Sequence, residues 1–442
     1  MRWWPMMWLV ACGGDKDDAP IEPFTETGTT DTAPTTTDTG TPPVTVPTGL
    51  CVPLPAATGP VVSLTPSDNL AAAVAAAAPG DTLSLAAGTY ALSAPLVIDK
   101  ALTLRSAADD PTTVTIDGGY HGGHVVEIQA AGVTLGHLGI AHATQALVHI
   151  QPVGADITDT RLHDLHLIDP AERAVFVDDT ADGRFAVDGG EISCSQVELS
   201  DDGRLEVVDA CNVGGFELLS TRDWTIRDNS FDGLWCDRGL ARPGIRATEG
   251  VRDLRIWRNV MTDTVQGIVL GEGQQPVARR YADDPCGDAY AQAIDSQVVN
   301  NIVSAYRQLL IDSFDGIGTG IRVESACNST VIHNSVYART AAPPGRYSIE
   351  HRFALTTGVV ANNLTTWSVQ RSDNSLADAA SNVELIDDNV WFFPSDGDFH
   401  LAPAAGDDVI DACSADYLAD VPDDVDGDAR DASPDCGADE RL

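Results

Sequence analysis

The chain has 442 residues, with 66 acidic against 26 basic side chains and a formal charge of −40. That charge excludes nucleic acid as a partner, and repels anionic membrane surfaces and polyanionic sugars unless calcium or a local arginine cluster reverses the field. Beyond the N-terminus no apolar run approaches the length of a membrane span, the longest candidate being the Ala-rich residues 70–78.

Met1-Arg2 opens a mostly apolar run that ends Leu9-Val10-Ala11-Cys12. It resembles the lipobox of a bacterial lipoprotein, in which small residues precede the cysteine that becomes the lipidated first residue. Residues 1–12 are therefore read as a lipoprotein signal peptide and Cys12 as the lipidation site. The run is shorter than the usual signal of about 15–30 residues, which points to a start upstream of Met1. Residues 13–50 read as a flexible tether, since 12 of the 24 residues from Thr25 to Thr48 are Thr, mixed with Pro, Asp and Gly. Such a stretch cannot bury a core. The expectation is an exported, monomeric protein whose membrane contact is a lipid anchor in the bacterial envelope, at the outer membrane or cell surface.

The ordered region is expected over residues 51–397. Ser67 or Asp68 is placed to cap a short Ala-rich helix that Pro79-Gly80 stops. Strands follow around Thr82–Leu85, Leu96–Ile98 and Leu102–Leu104. Further on, one phrase recurs: TIRDNSF, RIWRNVM, QVVNNIV, TVIHNSV, VVANNL and LIDDNVW, carrying Asn229, Asn259, Asn301, Asn334, Asn362 and Asn389. The spacings of 30, 42, 33, 28 and 27 residues fall in the range of stacked repeats, and strand-like segments alternate with Gly, Asp and Asn turns. Asn tolerates a left-handed turn conformation, and its amide bonds to the amide above and below in a stack. This pattern is all-β, a parallel β-helix solenoid with a short N-terminal capping helix. Residues 67–104 and the repeats together resemble the pectin-lyase-like superfamily of right-handed parallel β-helices. That resemblance implies the fold but no single activity, because lyases, hydrolases, esterases and adhesins share it.

Residues 222–258 hold eight Arg against six acids, together with Trp224, Trp235 and Trp257. The 42-residue interval before Asn301 contains an insertion, Glu272–Tyr290, and Asp232–Gly244 forms a second candidate loop one coil earlier. Insertions in repeat proteins emerge on one face, often the binding face. The candidate catalytic residues are Glu217, Arg238, Arg242, Arg246, Glu249 and Glu272, with the three Trp as sugar platforms. An Arg neutralises a uronate and eases its deprotonation, as a lyase requires. Two carboxylates one or two coils apart match the spacings of retaining or inverting glycosidases. Ion pairing between coils is the competing reading of the same charges.

Other chemistries fare worse. The chain has only Lys16 and Lys100, so a catalytic Lys base is poorly supported. Of the polygalacturonase-like signatures only the Asp178-Asp179 pair appears. His163 and His166, three apart on a strand, point to opposite faces. Removing Cys12 from nine cysteines leaves eight, an even number that suggests disulfides in an exported chain. Cys194 with Cys211 and Cys413 with Cys436 are nearest in sequence; bridges are expected for Cys413–Cys436 and, between loops of neighbouring coils, for Cys236–Cys286.

Residues 398–442 form an acidic, irregular capping tail. Its DVDGDARD segment fails as an EF-hand loop, because Pro422 and Ser433 fall where acids are required. A looser calcium site on Asp424, Asp426 and Asp428 stays open; no cofactor is certain, and calcium is the one the sequence leaves open. The functional expectation is a surface lipoprotein that binds, and as a lyase or glycosidase cleaves, extracellular polysaccharide. The alternative is a non-catalytic β-helix for adhesion, recognition or envelope architecture.

Overall fold

The computed structural model describes residues 50–441 except 180–182, 208–210, 278, 288–289 and 395–397. All of these belong to the unit Pro42–Leu442. Residues 1–12 with Cys12, and all but Leu50 of residues 13–50, expected as signal segment and tether, lie outside the described residues.

Successive coils stack in parallel register. The apolar column Ile226, Ile256, Val298, Val331, Val360 and Ala379 runs through one wall. Phe216, Ile245, Ile268, Ile321, Ile349 and Val369 run through another. Val, Ile and Leu fit pleated, half-buried surfaces, and period-2 alternation sends their neighbours outward. Each fully buried aliphatic side chain contributes about 1.5–3 kcal/mol, so a continuous column replaces a globular core. Among the described residues the strands form a 21-stranded assembly folded along a sharp corner, a 10-stranded open sheet and a small three-stranded sheet. This is the parallel β-helix expected from the sequence.

The helix α1, Leu70–Ala76, covers the first coil with Leu70 and Val74. Its N-cap is Asn69, whose side chain accepts the Ala72 N–H at 2.9 Å. Ser67 and Asp68 do not cap it; Asp68 accepts from the Thr65 N–H and hydroxyl, closing the preceding turn. At the other end the Lys100 ammonium donates to the carbonyls of Val74 and Ala75, the favoured place for a cation.

The asparagine ladder runs along the corner of the folded assembly. Asn229 Nδ2 donates to Asn259 Oδ1 at 2.9 Å, and the pattern continues through Asn301, Asn334, Asn363 and Asn382. It therefore uses Asn363 and Asn382, where Asn362 and Asn389 were expected. The left-handed residue is the one before each ladder amide: Asp228, Arg258, Asn300, His333, Asn362 and Ser381 have φ from 50° to 57°. The ladder Asn supplies hydrogen bonding while its predecessor bends the chain. Two adjacent Asn in VVANNL hide this division, and Asn389 sits in the 3-10 turn Asp388–Val390.

The tail covers this corner. Val421 packs on Val299, Ile332 and Ala361, and Trp257 is half-buried beside them. Arg258 Nη1 lies 2.8 Å from Asp423, and Arg430 donates to Asn300 Oδ1 at 3.0 Å. A second small core forms where Tyr337, Trp391 and Phe399 meet edge-on or tilted.

The four disulfides are Cys51–Cys194, Cys211–Cys236, Cys286–Cys327 and Cys413–Cys436. The tail bridge is as expected, whereas Cys236 pairs with Cys211 and Cys286 with Cys327. The loop holding Cys236 enters the open-sheet strand Ile245–Thr248, and that holding Cys286 follows the strand Ile268–Leu270. They thus lie at opposite edges of the same sheet, and each cysteine meets the coil stacked beside it. Cys194 is likewise bound across 143 residues of sequence, not to nearby Cys211.

Candidate active site

A central column of outward residues runs up the open sheet, one from each coil. In register these are Glu127, His149, Phe176, Glu217, Arg246, Val269, Arg322, Glu350 and Gln370. Their inward neighbours fix the direction: Phe216 and Leu218 are buried around Glu217, and Ile245 and Ala247 around Arg246. Residues 233–244 and 306–320 enter the strands at one edge of this sheet, and residues 271–291 leave it at the other. The sheet is thus the floor of a face flanked by the longest loops.

Charges converge at its middle. Glu217 is only 4% exposed, yet it accepts from Arg173 Nε, Arg246 Nη1 and, at 3.4 Å, Arg242 Nη1. Three guanidinium groups occupy most of the roughly four acceptor sites of one carboxylate. Arg246 also donates to Glu272 at 2.9 Å. From Glu272 the ion pairs continue to Arg322, Glu324, Arg352 and Asp373.

Two carboxyl groups beside this cluster hold their protons unusually well. Asp178 is pushed up to about 6, by burial first and then by Asp179, Glu249 and Glu217. Glu249, although exposed at its turn, is also raised, by partial desolvation of its carboxyl first, with Arg246 opposing and Asp179 adding to the shift. Asp178 follows Val177, which registers with Leu218 and so with Ala247, two residues before Glu249. The two acids emerge two coils apart, about 9–10 Å along the axis. That is near the upper end of the spacing at which one carboxyl protonates a leaving group while the other activates water. Upstream, His149 stacks on Phe176 with centroids 5.1 Å apart and planes 9° from parallel, and His124 stacks on His149 at 4.2 Å. Burial first, then His124 and Arg173, push His149 down to about 4, so its ring is neutral at pH 7.

Glu217, Arg242, Arg246 and Glu272 are thus brought together, with exposed Glu249 at the adjoining turn. Arg238 stands apart, exposed on the entering loop. The Trp residues do not form sugar platforms. Trp224 is 1% exposed with Nε1 donating to Val187 O, and Trp235 is 3% exposed beneath the Arg204 guanidinium at 3.9 Å. Trp257 is half-buried at the tail-covered corner. Enrichment in sequence does not distinguish inward from outward positions, and the rings of Trp224 and Trp235 fill the interior because of their area. Arg173, Phe176, Asp178 and His149 were not singled out as a site. The available signal was the strand Arg173–Val177 running straight into an acid pair.

No family model matches the chain, and no curated protein matches it. The solved structures that resemble it are of low identity. An alginate lyase from Paenibacillus sp. str. FPU-7 is 17% identical, covering 73% of this chain and 97% of its own, with a TM-score of 0.48. The pectate lyase Pel9A is 13% identical, covering 87% and 97%, with a TM-score of 0.45. A polygalacturonase from Erwinia carotovora ssp. carotovora is 13% identical, covering 74% and 94%, with a TM-score of 0.36. The class to which this chain is assigned, the parallel β-helix, follows from its own strand registers.

Proposed function

We propose that this protein is an exported, lipid-anchored β-helix that binds an uncharged extracellular polysaccharide along the open sheet and hydrolyses it. The observation that carries this reading is the placement of Asp178 and Glu249, two carboxyls with raised pKa, beside the arginine-held Glu217. Asp178, raised to about 6, retains enough proton near neutrality to serve as the general acid. Glu249, exposed at the turn, is the general base for water. Glu217 holds Arg173, Arg242 and Arg246 in place. The neutral rings of His149 and Phe176 supply the apolar contacts along the floor. An uncharged substrate fits a face whose guanidinium groups are already paired and a chain of charge −40.

The test is a polysaccharide panel in which binding and new reducing ends are both measured. Asp178→Asn and Glu249→Gln are expected to abolish product while leaving binding near wild type. Unsaturated products, or full hydrolysis by either variant, would reject the assignment. A Cys12→Ala protein is expected to leave the membrane fraction, and unchanged partitioning would reject the anchor.

A second reading is favoured by the unbroken ion-pair chain from Glu172 through Glu217, Glu272 and Glu324 to Asp373. Here the same charges hold the coils together, and the protein is a non-catalytic adhesion or envelope element. Binding without product across the panel, unchanged in Asp178→Asn, selects it.

A further inference from the structure

The tail carries a second convergence of side chains, unrelated to the open sheet. His400 is exposed on the strand Asp398–Leu401, between buried Phe399 and Leu401. Its Nδ1 lies 2.7 Å from Asp398 Oδ1, and its Nε2 lies 2.7 Å from Asp426 Oδ2. Asp439 completes the group from near the chain end and is 5% exposed. Its Oδ2 accepts the Leu401 N–H at 2.6 Å, while its Oδ1 has no hydrogen-bond donor among the described residues. One ligand atom from each of His400, Asp426 and Asp439 lies within 4.8 Å of the others. Two carboxylates and one imidazole thus share one small space, and a cation between the carboxylates relieves their mutual repulsion.

We propose that His400, Asp426 and Asp439 bind a single divalent transition-metal ion of the zinc class. One imidazole and two carboxylates suit zinc, whereas calcium takes six to eight oxygens. Asp398 occupies the outer position that fixes a ligating imidazole: bonded to Nδ1, it turns Nε2 toward the ion. On binding, the proton shared between His400 and Asp426 passes to solvent and the Nε2 lone pair goes to the metal. Water fills the remaining coordination, and exposed His400 marks the way in. The set Asp424, Asp426, Asp428 is not the one that converges. Asp424 is spent on the backbone N–H groups of Asp426, Asp428 and Glu440, at 2.9, 2.8 and 3.0 Å, and shapes the loop. The ion would join a strand, a loop and the chain end, fastening the tail that covers the asparagine corner.

The experiment titrates chelator-treated full-length protein, disulfides intact, with zinc alone and with calcium alone. Metal content, calorimetric affinity and thermal midpoint are recorded. A single tightly held zinc and a raised midpoint are expected for the wild type. His400→Ala and Asp439→Asn are expected to lose both. Asp398→Asn keeps all three ligands and is expected to bind zinc about 10–100-fold more weakly. His400 is exposed, so its variant folds without metal; the metal-free midpoint of Asp439→Asn checks that the tail still forms. Zinc retained by His400→Ala, no zinc bound by the wild type, or a calcium shift that survives His400→Ala would each overturn the proposal.

Discussion

At the corner of the solenoid, identical neutral amides stack from Asn229 to Asn382, and the tail closes over them. On the open sheet the stacked outward positions carry both signs of charge, and no tail hydrogen bond reaches them among the described residues. An amide is self-complementary, offering a donor and an acceptor, so one residue type repeats without limit. A carboxylate or guanidinium cannot stack on its own kind, so like charges are kept apart and no two adjacent coils of this column carry the same residue. The corner is built for stability, the open sheet on the proposed reading for binding, and substitutions should separate the two.

The largest loss is expected at the corner. Asn301→Leu removes the acceptor of the Asn259 N–H and Nδ2, and the donor to Ile256 O and Val299 O, all buried. Stranding several buried polar groups costs at least about 3 kcal/mol, read as a shifted denaturation midpoint. Arg246→Met follows. It takes one of three guanidinium groups from buried Glu217, which keeps Arg173 and Arg242, so the expected loss is about 1–3 kcal/mol. Equal losses at the two sites would erase the contrast between corner and open sheet.

The same contrast governs what the sequence reveals. Coil spacing and apolar flanks were legible because every coil repeats them, and with them came the fold; the tail bridge Cys413–Cys436 was legible from nearness in sequence. The error at Asn362 was one of register: NN gives two candidates, and only the left-handed φ of the first decides between them. The charged cluster was half legible. Glu217, Arg242, Arg246 and Glu272 stood out through local arginine enrichment, but Arg173 and Asp178 come from an earlier coil, and stacking brings them in. Composition cannot show that Trp224 points inward, nor that Cys194 meets Cys51.

Asp178 gives a smaller effect with a definite sign. Its folded pKa of about 6 exceeds the ordinary aspartate value near 4, so the folded chain holds the proton more tightly than the unfolded one. Its contribution to stability is present at low pH and is lost as pH rises from about 4 through about 6. Asp178→Asn should flatten that part of the pH–stability curve relative to wild type. Asp232 and Asp439 are raised in the same direction and remain in the variant, so the difference between the curves isolates Asp178. A steeper fall in the variant would contradict the burial that raises this carboxyl.

The smallest effect belongs to Arg238, exposed on a loop that is tied to its neighbour through the Gly239 N–H and Asp315, 2.8 Å apart. Arg238→Ala should change stability by less than about 0.5 kcal/mol, since an exposed charge away from caps and cores carries little. Its use is to sharpen the substrate assignment. Arg238 is not among the guanidinium groups tied up by Glu217 and Glu272, so it is the group a uronate or sulfate would meet at the rim. For an uncharged polysaccharide, affinity measured calorimetrically should stay within about twofold of wild type, as for other weak exposed contacts. A loss of about tenfold or more, fading as salt is raised, would mean that the glycan carries negative charge. Arg173, Arg242 and Arg246 would then have to exchange a buried carboxylate partner for one on the substrate, and hydrolysis by Asp178 and Glu249 would give way to proton abstraction beside a neutralised acid group.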